Sequence, residues 1–151
     1  MKNKSLYLSV ALFILSGVSL ADNGMIDVKS HHNVKTTADR LVSALKNKGM
    51  TVFTRIDHSA GAQSVGKTLR PTEVVIFGNP KVGTPLMNCQ QSVAIDLPQK
   101  ALIWEDNAKQ TWLSYNKPEY LASRHKIEGC EKLIKKIGNV LNNFATAATT
   151  P

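Results

Sequence analysis

Four histidines, two cysteines and scattered carboxylates are the groups with chemistry to offer in this 151-residue chain. His58 follows Asp57 at the end of a strand-like run, where side chains often line a cleft. A neutral imidazole there suits a general base or a metal ligand. Asp57 does not automatically orient it, because neighbours on a strand face opposite ways. His31-His32 with Asp27 offers donors to copper or zinc, but no CxxC, HxxxH or HExxH spacing supports a site. His125, within Ser123-Arg124-His125-Lys126, reads as a solvent-facing helix residue. Met87, Cys89 and His58 would suit a soft ion such as Cu(I), yet Met87 and Cys89 read first as core contacts. Cys89 with His58 is the only Cys/His pair worth testing for a nucleophile, and an apolar setting leaves a thiol inert. There is no Gly-x-Ser-x-Gly elbow. No metal or cofactor is expected, and a binding role is favoured over an enzymatic one.

Gly78-Asn79-Pro80-Lys81-Val82-Gly83-Thr84 lies between a strand and a helix and superficially resembles a phosphate loop. Such a loop needs its lysine directly after the second glycine. Thr84 stands there instead, and Lys81 lies inside the loop. The segment reads as a turn with Thr84 as helix cap and Pro85 in the first turn. A weaker anion site on free amides at the helix start stays open.

These groups need elements to position them. Met25, Ile26 and Val28 mark a first strand within Gly24–Ser30. A helix follows, capped by Thr36 or Thr37, with an Ala38, Leu41, Val42, Leu45 stripe and Gly49 at its C-terminal end. Thr51–Asp57 alternates, with Val52, Thr54 and Ile56 on one face. Val74-Val75-Ile76-Phe77 is the continuous run of a strand covered on both faces. A short helix is expected through Met87 and Cys89 to about Ser92. Ala101–Glu105 and Thr111–Tyr115 flank the polar turn Asp106–Lys109 as a hairpin. Pro118 opens a helix, Gly129 interrupts it, and the last helix carries Cys130, Leu133, Ile134, Ile137, Leu141 and Phe144 on one side. This order is an α+β arrangement, a mostly antiparallel sheet with helices on one face.

Several words stand in order along the chain: Ile56-Asp57-His58, Pro71-Thr72, Phe77-Gly78-Asn79-Pro80, Gly83-Thr84-Pro85-Leu86-Met87, Asp96-Leu97-Pro98, Trp104-Glu105-Asp106 and Tyr115-Asn116-Lys117-Pro118. Through them the sequence resembles the bacterial domain-of-unknown-function family 302 over nearly all of the chain past its leader. Gln99-Lys100 departs from the apolar residue expected after Asp-Leu-Pro. The resemblance implies a β-α-β(4)-α two-layer sandwich with a curved antiparallel sheet. It implies no activity and supplies no catalytic residues.

The chain opens like a secretory precursor. Lys2 and Lys4 precede an uncharged run from Leu6 to Val18, and Ser19-Leu20-Ala21 places small residues at a cleavage site. The run is short of the ~20 residues that span a bilayer. The expected organisation is a signal peptide at 1–21, one domain at 22–145 and a frayed tail at 146–151. The product is expected in the periplasm or secreted, with no membrane anchor left. Losing Lys2 and Lys4 lowers the formal charge from +8 to +6. The lysines are scattered, and Lys132, Lys135 and Lys136 beside Glu128 and Glu131 read as a solvated helix face, so nucleic acid is not an expected partner. Cys89 and Cys130 admit one pairing in an oxidising compartment or two packed thiols, and both stay open.

The expectation that follows is an exported binding domain with a polar-rimmed cleft for a small ligand or protein partner. His58, Asn79, Thr84 and Asp96 would supply the polar groups, around an apolar pocket with Met87 and Trp104. The alternatives are a metal-handling protein or enzyme centred on His58, and a homodimeric assembly module.

Overall fold

The computed structural model describes residues 23–151. The leader expected at 1–21 lies outside them. Five strands, β1 (Met25–Lys29), β2 (Thr51–Asp57), β3 (Thr72–Gly78), β4 (Gln99–Glu105) and β5 (Thr111–Asn116), form one antiparallel sheet in the order β1-β5-β4-β3-β2. Five helices, α1 (Val34–Asn47), α2 (His58–Ser64), α3 (Pro80–Cys89), α4 (Pro118–His125) and α5 (Glu131–Thr149), join them, with a 3₁₀ turn at Gln91–Asp96. This is the expected α+β order.

Residues alternate along each strand, so one sheet face carries Val75, Phe77, Ala101, Ile103, Leu113 and Tyr115 into the core. Against it pack Leu41 and Leu45 of α1 and Ile137, Leu141 and Phe144 of α5. The Phe77 and Phe144 rings meet edge to face, 6.4 Å between centroids. The other face carries Val74, Ile76, Leu102, Trp104 and Trp112, all half-buried. β3 is therefore not covered equally on its two faces, as its continuous apolar run suggested. Strand alternation survives beneath that run.

Four local expectations are corrected. Asn33, not Thr36 or Thr37, caps α1: its side chain accepts from the Thr36 amide at 2.8 Å. Thr37 is instead buried, its hydroxyl 2.7 Å from that of Ser30. Helix α3 begins at Pro80 with Asn79 as its cap, leaving Thr84 and Pro85 inside it. Both prolines suit a first helical turn, and the earlier one, preceded by a capping asparagine, takes it. In β2 the pairing shifts between Val52 and Thr54, so Phe53 is a bulge residue. Val52 and Ile56 therefore do not share a face.

The fourth concerns 146–151. Helix α5 runs to Thr149, with Ala145, Ala148 and Thr149 buried. Its terminal carbonyls are held from α1 and its approach: Arg40 donates to the oxygens of Ala147, Ala148 and Thr150, and the His31 amide to Thr149. A cation placed on the negative end of a helix does what a frayed tail cannot. The sequence holds no local trace of this, because Arg40 is more than a hundred residues away.

Candidate functional site

The main cleft, about 380 Å³, opens where the Gly78 end of β3 meets α3 and α5. Phe77, Leu86, Ile137, Leu141 and Phe144 form its buried floor. Met50 and Phe53 close one side, Leu97 and Pro98 another, and Val82 and Val140 stand at the opening. Phe53 is 55 % exposed and Val140 37 %, large apolar surface left unburied at the mouth of a concavity. The β2 bulge re-aims Phe53 out of the alternation of its strand. Gly78 makes room for its ring: a Cβ there would lie 3.3 Å from Phe53 Cε2. The two helical walls are tied at one end. Cys89 closes α3, Cys130 precedes α5, and the two form a disulfide with Cα atoms 6.4 Å apart.

Of the residues expected from sequence to share a site, Asn79, Thr84 and Met87 line this cleft. Asn79 also does structural work. Its Oδ1 accepts from the Lys81 amide at 2.9 Å, and its Nδ2 donates to the Gly49 carbonyl at 3.3 Å. The cleft brings in neither His58, Asp96 nor Trp104. His58 opens α2 at the far end of β2 and is exposed. Seven residues of strand, roughly 20 Å, separate it from the Thr51–Gly78 pair beside the cleft. Trp104 lies on the other sheet face, its indole donating to Ser114 at 2.9 Å. Ile103 points into the core, so Trp104 must point away.

Asp96 belongs to a second constellation. His125 Nε2 stands 2.5 Å from its Oδ2, Arg124 Nη1 stands 3.4 Å from its Oδ1, and the Ser92 hydroxyl is 3.0 Å from His125 Nδ1. The His125 side chain is only 8 % exposed, which corrects the solvent-facing reading. With a neutral ring, Nε2–H donates to Asp96 and Nδ1 accepts from Ser92. With a charged ring, Nδ1–H donates to Ser92 instead, and both contacts survive. The array pins the 3₁₀ turn to α4 in either state. Its residue types match a nucleophile, a base and a carboxylate, but Ser92 lies outside the cleft.

The remaining polar groups are similarly occupied. Asp57 caps α2, accepting from Ser59 Oγ at 2.5 Å and the Ala60 amide at 2.9 Å, and these bonds hold its carboxyl below the usual range. A smaller hollow of about 240 Å³ is lined by Arg55 and Glu73, which pair with each other, by Lys35, which pairs with Asp39 outside it, and by Asp57, which caps α2. Glu73 is buried against Arg55, which also reaches Asp39 of α1 at 2.6 Å. Cys89, bonded to Cys130, offers no thiol to a metal or to His58. Among the described residues, no three His, Cys, Asp or Glu side chains converge as metal ligands.

Sequence reasoning missed Phe53, Val140 and Lys136 as cleft residues. Phe53 left a signal: it is the single apolar side chain in the Phe53, Arg55, Asp57 set. Val140 and Lys136 left none, since each reads as ordinary helix surface.

Comparison with known proteins gives three findings. A stretch of 109 residues is 47 % identical to "Fluoride-specific ion channel FluC 1" of Brucella suis biovar 1 and to the protein of the same name from Brucella abortus biovar 1. It covers 72 % of this chain but only 43 % and 40 % of those relatives, so the chain spans about two-fifths of their length. A solved structure, the uncharacterized conserved protein DUF302 from Bacillus stearothermophilus, superposes with a TM-score of 0.76 at 20 % identity, covering 84 % of this chain and 99 % of that one. The family model for the domain of unknown function DUF302 matches residues 26–144, and with the cleft, the sheet order and the ordered sequence words in place, the chain belongs to the DUF302 family.

Proposed function

We propose that this protein works outside the cytoplasm as a small binding domain that holds one largely apolar molecule in the cleft between α3 and α5. The observation that carries this is the cleft itself: a concavity within the size range of ligand sites, lined mainly by apolar side chains, with Phe53 and Val140 unburied at its mouth. Exposed apolar surface gathered in a hollow gains more from a ligand than from water. The Cys89–Cys130 disulfide suits an oxidising compartment, as the leader-like start of the sequence does. The proposal concerns the domain. The ion-channel name belongs to longer proteins that are 47 % identical to this chain over 109 residues.

The test uses N-phenyl-1-naphthylamine, a neutral dye that fluoresces in apolar sites. The expected result is saturable binding of one dye per chain, abolished by Val140→Trp, which fills the mouth. Unsaturable binding, or saturable binding indifferent to that substitution, overturns the cleft assignment. Intact mass of the exported protein checks the compartment: a mature N-terminus near Asp22 is expected, and one still at Met1 overturns export.

A second reading, ester hydrolysis by Ser92, has the Ser92–His125–Asp96 contacts in its favour. Turnover of p-nitrophenyl acetate that vanishes in Ser92→Ala would establish it. Equal slow rates for the two proteins leave the array as a clasp.

A further inference from the structure

The charge around the cleft is one-sided. Its ionisable lining residues are Lys81 on α3 and Lys136 on α5, with no aspartate, glutamate or histidine among them. Both lysines are exposed, and neither ammonium has a hydrogen-bond or ion-pair partner among the described residues. They rise from opposite walls of the same opening. Elsewhere Lys35 finds Asp39, Arg124 finds Asp96, and Arg55 finds Glu73. Among the described residues other lysines, such as Lys132 and Lys135, also lack an ion pair, but they stand on open surface; Lys81 and Lys136 are set apart by lining an apolar hollow.

The start of α3 adds no amide cradle. Pro80 has no N–H, the Lys81 amide donates to Asn79 Oδ1, and those of Val82 and Gly83 donate to the Asn79 carbonyl. The anion site that the sequence left open on these amides is therefore filled by the chain's own cap. A compact inorganic anion finds two flexible ammonium groups and no fixed donors. It would also leave the floor of Phe77, Leu86 and Ile137 uncovered. A molecule that satisfies both halves needs an apolar body and a negative end.

We infer that the ligand is a single-chain amphiphile with one anionic head, its hydrocarbon chain in the cleft and its head between Lys81 and Lys136. This rests on the cleft being the ligand site, as proposed above. A volume of about 380 Å³ suits a chain of roughly ten to fourteen carbons. Long lysine stems lie along apolar walls while their charges stay at the opening, which is how such side chains behave at an apolar–aqueous boundary. The head is recognised by charge, since ammonium groups act as point charges without the fork geometry of arginine.

The experiment displaces N-phenyl-1-naphthylamine with dodecanoate, 1-dodecanol or dodecyltrimethylammonium, each below its micelle concentration, at low salt and pH 7.5. Dodecanoate is expected to compete about tenfold better than the cation, with the alcohol between them. High salt should narrow the gap. The preference should vanish in Lys81→Gln/Lys136→Gln and persist in Lys81→Arg/Lys136→Arg, with circular dichroism confirming that both variants fold. Equal competition by all three chains, or a preference that survives the glutamine pair, overturns the anionic-head inference while dye binding upholds the cleft. Binding of phosphatidylglycerol vesicles without binding of monomeric dodecanoate also overturns it, in favour of a lipid surface. Absence of saturable dye binding defeats the underlying reading instead. A concentration-dependent dimer by light scattering that excludes the dye defeats both, with a second copy as the occupant.

Discussion

The cleft and the Asp96–His125 array sit at neighbouring parts of the molecule and are built on opposite terms. In the array every polar group has a partner: Asp96 takes His125 and Arg124, and His125 also meets Ser92. In the cleft the groups without partners are Phe53, Val140 and two lysines. Side chains that look chemical are spent on structure, and side chains that look structural are left available. Folding satisfies buried polar groups because leaving them unpaired costs about 1–3 kcal/mol each. A surface kept apolar and concave against that same pressure is the better guide to function.

The largest effect should come where the two regions join. The Cys89–Cys130 bond closes a loop of 41 residues and ties both cleft walls together. Replacing both cysteines with alanine should lower stability by about 3–4 kcal/mol, read from urea unfolding. A loss under about 1 kcal/mol would mean that packing alone holds α3 to α5. Next in size is His125→Ala, which removes the closer partner of a largely buried Asp96 carboxylate, leaves it only Arg124 at 3.4 Å, and should cost about 2 kcal/mol. Val140→Ala, at a site 37 % exposed, should cost less than about 1 kcal/mol. Dye binding should show the reverse order, weakened by Val140→Ala and unchanged by His125→Ala. If His125→Ala weakens the dye and Val140→Ala does not, the contrast between the regions fails.

The difference also explains what could be read from the sequence. The existence of strand β2 and of the β4–β5 hairpin was legible, because Thr51–Asp57 is rich in strand-forming residues and Asp106–Lys109 is turn chemistry, but the bulge at Phe53 that breaks the alternation of β2 was not. Local pattern also placed Asn79, Thr84 and Met87 near one another. Trp104 was misplaced because Ala101-Leu102-Ile103-Trp104 is apolar throughout and hides which side chains face the helices. The pairing of Asp96 with His125 spans 29 residues and left no local mark. The same holds for Arg40 on the end of α5 and for Lys136 opposite Lys81. Each is a tertiary meeting of residues that look unremarkable on their own elements.

Tyr115 tests the rule that buried polar groups are satisfied. Its hydroxyl is buried and is the one such side-chain atom without a hydrogen-bond partner among the described residues. Burial, aided by Glu119, pushes the phenol above its ordinary 10.0. Tyr115→Phe removes the orphan and keeps the ring, so stability should hold or rise by about 1 kcal/mol at pH 7. The native state holds the phenol's proton longer than the unfolded chain does. Wild-type stability should therefore decline as pH rises above 10, and the phenylalanine variant should lose that part of the decline. A marked loss of stability in the variant would show that the hydroxyl has a partner after all.

The smallest effect separates the clasp-like use of polar residues from a catalytic one at the position that first drew attention, Asp57-His58. Asp57 accepts from Ser59 and from the Ala60 amide, and these bonds lower its carboxyl below 3.8. A carboxyl lowered in the native state binds its proton later than the unfolded chain does. It therefore contributes stability above pH 3.8, and that contribution fades as pH falls through the lower native value. Asp57→Ala should be less stable than wild type at pH 7, with the gap narrowing in acid, while Asp57→Asn should keep much of the cap. His58→Ala should leave the dye affinity unchanged, because His58 is exposed some 20 Å from the cleft. A fall in dye affinity on removing His58 would place it back in the site and undo the division between partnered polar groups that build this molecule and the unpartnered groups of the cleft that bind.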